Sequence, residues 1–212
     1  MSDFSPITPA AFCAAVIERG SLALKREFAR HTVADPKSWH DAETLVHRGS
    51  LTLGDGFKVP ALHTLILGDL FVEGFVDADD GHDAGGLLVV IGNVECDVFA
   101  GQFGKCTFID GNLEVTQLLL NSFEDSSLCV TGNLRTHFFY GWDICAQVGG
   151  RAEMEYGDGY CLPFDHRDAA AEAISPRHGA ETSRRLLAVD DTGEDIVFDL
   201  LDLVRTGRSP FR

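Results

Sequence analysis

The densest run of possible ligands in this chain is Asp77-Ala78-Asp79-Asp80-Gly81-His82-Asp83. Carboxylates at alternate positions around a glycine are what a calcium loop requires, because a hard cation draws several oxygens into a sharp turn. Asp77, Asp79 and Asp83 are the candidate ligands. The distal glutamate of a helix-loop-helix calcium site is missing and no helical pattern flanks the run, so a solvated or partner-binding acidic loop is the competing reading. A second candidate set is aromatic. Phe138, Phe139, Tyr140 and Trp142, with Asp143 beside them, crowd into one segment, and Tyr156, Asp158 and Tyr160 follow one repeat later. Rigid rings beside acids and glycines make good anchors for a protein partner. The same rings could instead close the end of a core.

Other chemistry is thinly represented. Six cysteines, Cys13, Cys96, Cys106, Cys129, Cys145 and Cys161, form no Cys-x-x-Cys pair and read as buried reduced thiols. No ligand spacing links His82, His137 and His166, so a zinc site is not indicated. A Gly-x-Ser-x-Gly elbow, a phosphate loop and a His-Glu-x-x-His pair are all missing, and no motif asks for a cofactor. With 33 acidic against 17 basic residues the formal charge is −16. Phosphate binding needs clustered Lys and Arg, so nucleic acid is excluded as a direct partner, whereas a basic protein is favoured. No run approaches the length of a membrane span, and the N-terminal residues lack a basic-then-apolar secretory layout. The expectation is a soluble, cytoplasmic protein.

What would position these groups is a repeat. Gly68-Asp69-Leu70, Gly92-Asn93-Val94, Gly111-Asn112-Leu113 and Gly132-Asn133-Leu134 recur, with a degenerate Gly150-Arg151-Ala152, at glycine spacings of 24, 19, 21 and 18 residues. Two positions before the glycine stand Ile66, Val90, Ile109, Val130 and Val148, and two after it Leu70, Val94, Leu113, Leu134 and Ala152. Val72, Cys96, Val115, Thr136 and Met154 follow two positions later, separated from the previous column by Phe71, Glu95, Glu114, Arg135 and Glu153. Period two on both sides of a turn predicts strand, corner, strand, with one face buried. The glycine is expected to supply a positive φ, and Asp or Asn to tolerate the bend beside it. One such unit cannot offset its ordering entropy, so units must stack in parallel and pile their aliphatic columns into a shared core. An antiparallel meander is the alternative, since Gly-Asn steps also mark hairpins.

The predicted fold is therefore an all-β core, a parallel β-helix (solenoid) of about five rungs, with α-helical N- and C-terminal flanks acting as caps. Three segments form one folded unit: 1–49, 50–160 and 161–212. Thr8-Pro9-Ala10 reads as a helix start, with Phe12, Val16 and Ile17 on one face, and a second helix is expected from Leu22 to His31. Asp165 to Ser175 and Asp195 to Thr206 read as helices at the other end. Open solenoid ends need covering, which suggests caps, although the N-terminal pair could equally pack on a side face.

The run Leu65-Ile66-Leu67-Gly68-Asp69-Leu70-Phe71-Val72-Glu73-Gly74 and its successors resemble the repeats of bacterial polymer-forming β-helix proteins of the bactofilin type. They also resemble uncharacterised bacterial β-solenoid proteins associated with toxin–immunity loci. The resemblance covers roughly residues 50 to 156. It implies either a self-assembling structural scaffold or a non-catalytic acidic solenoid that binds a protein, such as an immunity-type protein neutralising a basic toxin. Bactofilin-type chains have short tails and bare ends that stack into filaments. The long flanks here depart from that pattern and favour a monomer or homodimer. Several right-handed β-helices are polysaccharide lyases or hydrolases with groove carboxylates, a role open to Asp69, Asp97, Asp110 and Glu114, but outward acids on a coil are equally its expected solvated face.

Overall fold

The computed structural model describes residues 4–30, 39, 42–78, 86–102, 104–122, 126–141, 145–164, 172–189 and 195–212. The chain opens with β1 (Ser5–Pro6), α1 (Pro9–Arg19) and α2 (Leu22–Phe28). Six strand-corner-strand units follow. They are β2 (Thr44–Arg48) with β3 (Leu51–Leu53) and the short β4 (Phe57–Lys58), β5 (His63–Leu67) with β6 (Leu70–Asp77), and β7 (Gly86–Val90) with β8 (Val94–Gln102). Then come β9 (Lys105–Ile109) with β10 (Leu113–Ser122), β11 (Ser127–Val130) with β12 (Leu134–Tyr140), and β13 (Cys145–Val148) with β14 (Ala152–Asp158). After β15 (Leu162–Pro163) lie α3 (Ala180–Ser183), one 3-10 turn (Arg184–Leu186) and α4 (Asp195–Arg205).

The strands stack as a parallel solenoid of about five turns. One sheet runs β1-β2-β5-β7-β9-β11-β13-β15 and the other β14-β12-β10-β8-β6-β3, with β4 also on β6. Val90 lies in register with Ile109, and Ile109 with Val130, so the aliphatic columns superpose as the repeat requires. The coil starts at Thr44, ahead of the boundary expected at residue 50, because β2 pairs in parallel with β5 along its whole length. A register shift between Val72 and Phe75, and again between Val115 and Leu118, bends the second sheet. Each turn thus has three walls: the first sheet, the second sheet before the bend, and the second sheet after it. Inward residues of all three, among them Ile66, Val90, Leu113, Val115, Phe99, Leu119 and Phe139, form one continuous core. Thr136 sits in an inward column because its hydroxyl donates to the Phe138 carbonyl at 3.0 Å.

The corner glycines serve a purpose other than the expected one. Of Gly49, at the corner between β2 and β3, and the five glycines of the repeat, only Gly49 (φ 97°) and Gly92 (φ 156°) have positive φ. Gly68, Gly92, Gly111, Gly132 and Gly150 share another demand, close approach of one coil to the next. A Cβ on Gly92 would lie 2.5 Å from the Gly68 carbonyl, and one on Gly132 would lie 2.6 Å from the Gly111 carbonyl oxygen and from Asn112 Oδ1. No side chain fits at these five positions, whereas a Cβ on Gly49 would meet nothing within 4 Å.

The neighbouring Asp/Asn column forms a ladder along the same edge. The Asn93 backbone N–H donates to Asp69 Oδ1 at 2.7 Å, Asn112 to Asn93 Oδ1 at 3.0 Å, Asn133 to Asn112 Oδ1 at 2.8 Å and Arg151 to Asn133 Oδ1 at 2.9 Å. The Nδ2 groups of Asn93 and Asn112 reach back to the same oxygens, at 3.1 and 3.2 Å. The first member only accepts, which suits the carboxylate of Asp69. Asn93 and Asn112 also donate, which requires the amide.

Helices α1, α2 and α4 lie on walls of the coil: for the N-terminal pair this is the side-face alternative, and for α4 it corrects the expectation of an end cap, while the short α3 packs against the terminal strand β14. Phe12 and Val16 of α1 and Leu24 and Phe28 of α2 pack on the outward side of the first sheet, against Leu65, Leu87, Val89 and Phe108. Ile17, expected on the buried face, is 49% exposed. α2 ends at Phe28, so Ala29 and Arg30 are not helical, and His31 lies outside the described residues. Ile196, Val197, Leu200 and Leu201 of α4 pack on the outward side of the third wall, against Val98, Leu118, Phe138 and Tyr140. Of the expected 165–175 helix, 165–171 lie outside the described residues, and the remainder is extended, with Ile174 bridging antiparallel to Cys161.

Extended chain meets both ends of the coil, joined at the far end by the short helix α3. β1 adds antiparallel to β2, and Phe4 stacks on Phe57 with centroids 6.2 Å apart. At the other end the Arg177 and His178 amides donate to the Met154 and Glu155 carbonyls at 2.9 and 2.8 Å, and Gly157 donates to Ser183 Oγ at 2.8 Å.

Candidate interaction surface

With two walls roofed by helices, the second wall is the one whose outward column faces solvent among the described residues. That column reads Thr52, Phe71, Glu95, Glu114, Arg135 and Glu153, placed one above another by the strand register. Phe71, Glu95, Arg135 and Glu153 are exposed and Glu114 is half-buried. Glu73, Asp97, Thr116, His137 and Glu155 follow at the bend. Strand pairing fixes the vertical order of these groups, and the alternation of apolar and charged residues fixes which of them point outward.

The electrostatics are one-sided. Glu95 and Glu114 are in-register neighbours of like charge, and Arg135 is the one cation in the column, 3.3 Å from Glu114. Asp97 accepts from Thr116 at 2.6 Å. Glu155 lies 3.5 Å from both Arg177 and His178, which belong to the extended segment at the end of the coil. Two open clefts border the wall. One, of about 590 Å³, lies between the bend and the C-terminal tail and is lined by Asp55, Lys58, Glu73, Asp97, Arg205 and Arg208. The other, of about 680 Å³, is lined by Glu114, Arg135, His137, Glu153, Glu155 and Arg177.

Three of the expected aromatic anchors are internal, which corrects the reading for those three. Phe139 is in the solenoid core, and Phe138 and Tyr140 lie beneath α4; all three are buried. Burial and the nearby Asp158 push the Tyr140 hydroxyl up to about 12. Asp158 holds Arg184 at 2.8 Å and so secures the 3-10 turn. Tyr156 is half-buried and stacks on His178 at 4.9 Å. Tyr160 is 49% exposed, while Trp142 and Asp143 lie outside the described residues.

The acidic-loop reading meets a competing partner at its one described member. Asp77 is buried on the third wall, and its Oδ2 accepts from Arg205 at 3.0 and 3.1 Å. Asp79 and Asp83 lie outside the described residues, and no group of metal-binding side chains occurs among the described ones. Asp69 belongs to the ladder. Asp110 accepts from the Ser21 amide at 2.6 Å and from the Thr131 hydroxyl at 2.9 Å, so it pins the N-terminus of α2 to a corner of the coil. Burial pushes the Cys161 thiol up to about 12 and the Cys96 thiol higher still. Among the described residues no helix is long and apolar enough to cross a membrane.

Comparison with protein-family models, with curated proteins and with solved structures finds no match.

Proposed function

We propose that this protein is a non-catalytic binding module whose bare, acidic second wall receives a basic protein. The observation that carries the reading is the selective roofing of the coil: helices cover the first and third walls, and the second is left with Glu95, Glu114 and Glu153 facing outward and Glu73 and Asp97 at its bend. The stacked Glu95 and Glu114 repel one another and gain when further cations approach, and the −16 formal charge steers a basic partner toward the wall. Phe71, 36% exposed between Thr52 and Glu95 in the column, supplies an apolar contact. An immunity-type role, with a basic toxin as the captured protein, is the particular form of this reading. The carboxylates offered for carbohydrate chemistry are already engaged with Asn93, Thr116, Ser21 and Arg135, which supports binding over catalysis. Extra strands at both ends of the coil support a monomer or dimer over a filament.

The experiment is capture at low ionic strength by the wild-type chain and by a triple variant, Glu95→Lys/Glu114→Lys/Glu153→Lys. The expected result is a basic protein whose binding weakens steeply with salt and is lost in the variant. Capture indifferent to both salt and the three reversals defeats the proposal. So does failure of the wild type to enrich any protein.

A further inference from the structure

We propose that the coil holds an internal water beside the end of its third wall, between Thr107 and Asn121. Both residues are fully buried. Neither Asn121 Oδ1, Asn121 Nδ2 nor Thr107 Oγ1 has a hydrogen-bonding partner among the described residues. Both side chains point into the coil. Thr107 stands in the inward column of the first wall between Leu88 and Leu128. Asn121 lies two positions after the inward Leu119 and so shares its side of the strand.

Asn121 is in register with Gly101 of the preceding coil, which offers no side chain to fill the space beside it. A Cβ placed on Gly101 would stand 3.2 Å from Asn121 Oδ1, 3.4 Å from Thr107 Oγ1 and 3.5 Å from the Phe99 ring. The amide and the hydroxyl therefore border one small space, closed on a third side by an aromatic edge. Its walls supply hydrogen-bonding atoms and no charge among those named, which suits a neutral molecule that both donates and accepts. Water meets that description, since it donates to one oxygen while accepting from the other group. An amide and a hydroxyl left dry in a core would each cost more than the immobilisation of one water.

The test is water-to-protein cross-relaxation by NMR on the full chain. A long-lived water is expected to give cross-peaks to the Asn121 side-chain amide protons. Gly101→Ala places a methyl group in the space and is expected to erase those peaks while the fold persists. Should that variant fail to fold, Thr107→Val, which keeps the side-chain shape and removes one partner, is expected to weaken or abolish them. Asn121 amide protons that contact only protein protons overturn the proposal, as do water cross-peaks that survive both substitutions.

Discussion

Arg205, in the last turn of α4, grips Asp77 on the third wall of the second coil, with Nε at 3.1 Å and Nη2 at 3.0 Å from the same carboxylate oxygen, across 128 positions of sequence. The carboxylate is nearly buried and the guanidinium is 38% exposed. The pair fastens the end of the roofing helix to the coil.

Arg205→Ala leaves that carboxylate without its guanidinium in a mostly buried place. The expected loss is about 2 kcal/mol, less than for a fully enclosed pair because water can reach the site. Urea denaturation measures it. Arg205→Ala in an Asp77→Asn background should cost clearly less, and equal losses in the two backgrounds would dissolve the proposed coupling.

Ladder position decides what each Asp or Asn must do. Asp69→Asn should be nearly neutral, since the first member only accepts. Asn112→Asp sets a carboxylate against Asn93 Oδ1 and removes the donor that spans 3.2 Å, for a loss of about 1 kcal/mol at neutral pH. Thermal melts of the two variants give the comparison, and an equal effect at both positions would contradict the ladder's direction.

Close approach at the corner makes Gly111→Ala costly, because its methyl group would collide with the Gly92 backbone. About 3 kcal/mol is expected. Gly54→Ala has open space and an ordinary φ, so a gain of about 0.5 kcal/mol is expected from the stiffer unfolded chain. Denaturant midpoints separate the two.

Alkaline pH should unfold the protein through its buried thiols. Cys161 titrates at about 12 when folded and near 9.0 when unfolded. Above pH 9 the unfolded chain sheds a proton that the folded chain keeps, so stability is intact below that pH. It then falls by about 1.4 kcal/mol per pH unit until the folded thiol ionises as well. Cys96 acts in the same direction. Replacing Cys161 with Ser should flatten the slope, and a melt series between pH 8 and 11 reads it; an unchanged slope would remove Cys161 from the account.

The solenoid was legible because its inward columns repeat at fixed offsets from each glycine. The position of the flanks was not, since an amphipathic helix records that one face is buried and leaves its partner unstated. A signal was nonetheless present in the strands. Leu87-Leu88-Val89-Val90, Leu118-Leu119-Leu120 and Phe138-Phe139-Tyr140 are apolar at consecutive positions, as strands covered on both faces are, whereas Leu113-Glu114-Val115 and Leu134-Arg135-Thr136 alternate. Unbroken runs marked the roofed walls and alternation marked the bare one. The same reasoning would have moved Phe138, Phe139 and Tyr140 indoors. The reach of Arg205 to Asp77 and of Asp110 to Ser21 had no trace in local pattern, because each depends on where a distant helix lands.

Roofing also sets a length for the particle. An eleven-residue helix measures about 16 Å, and stacked strands advance about 4.8 Å per layer, so α4 spans a little over three layers. That matches its reach from Asp77 to Tyr140. A chain that gained whole extra turns would outgrow its own lid and display an oily stripe, so the count of windings and the size of the terminal helix must have changed together or not at all.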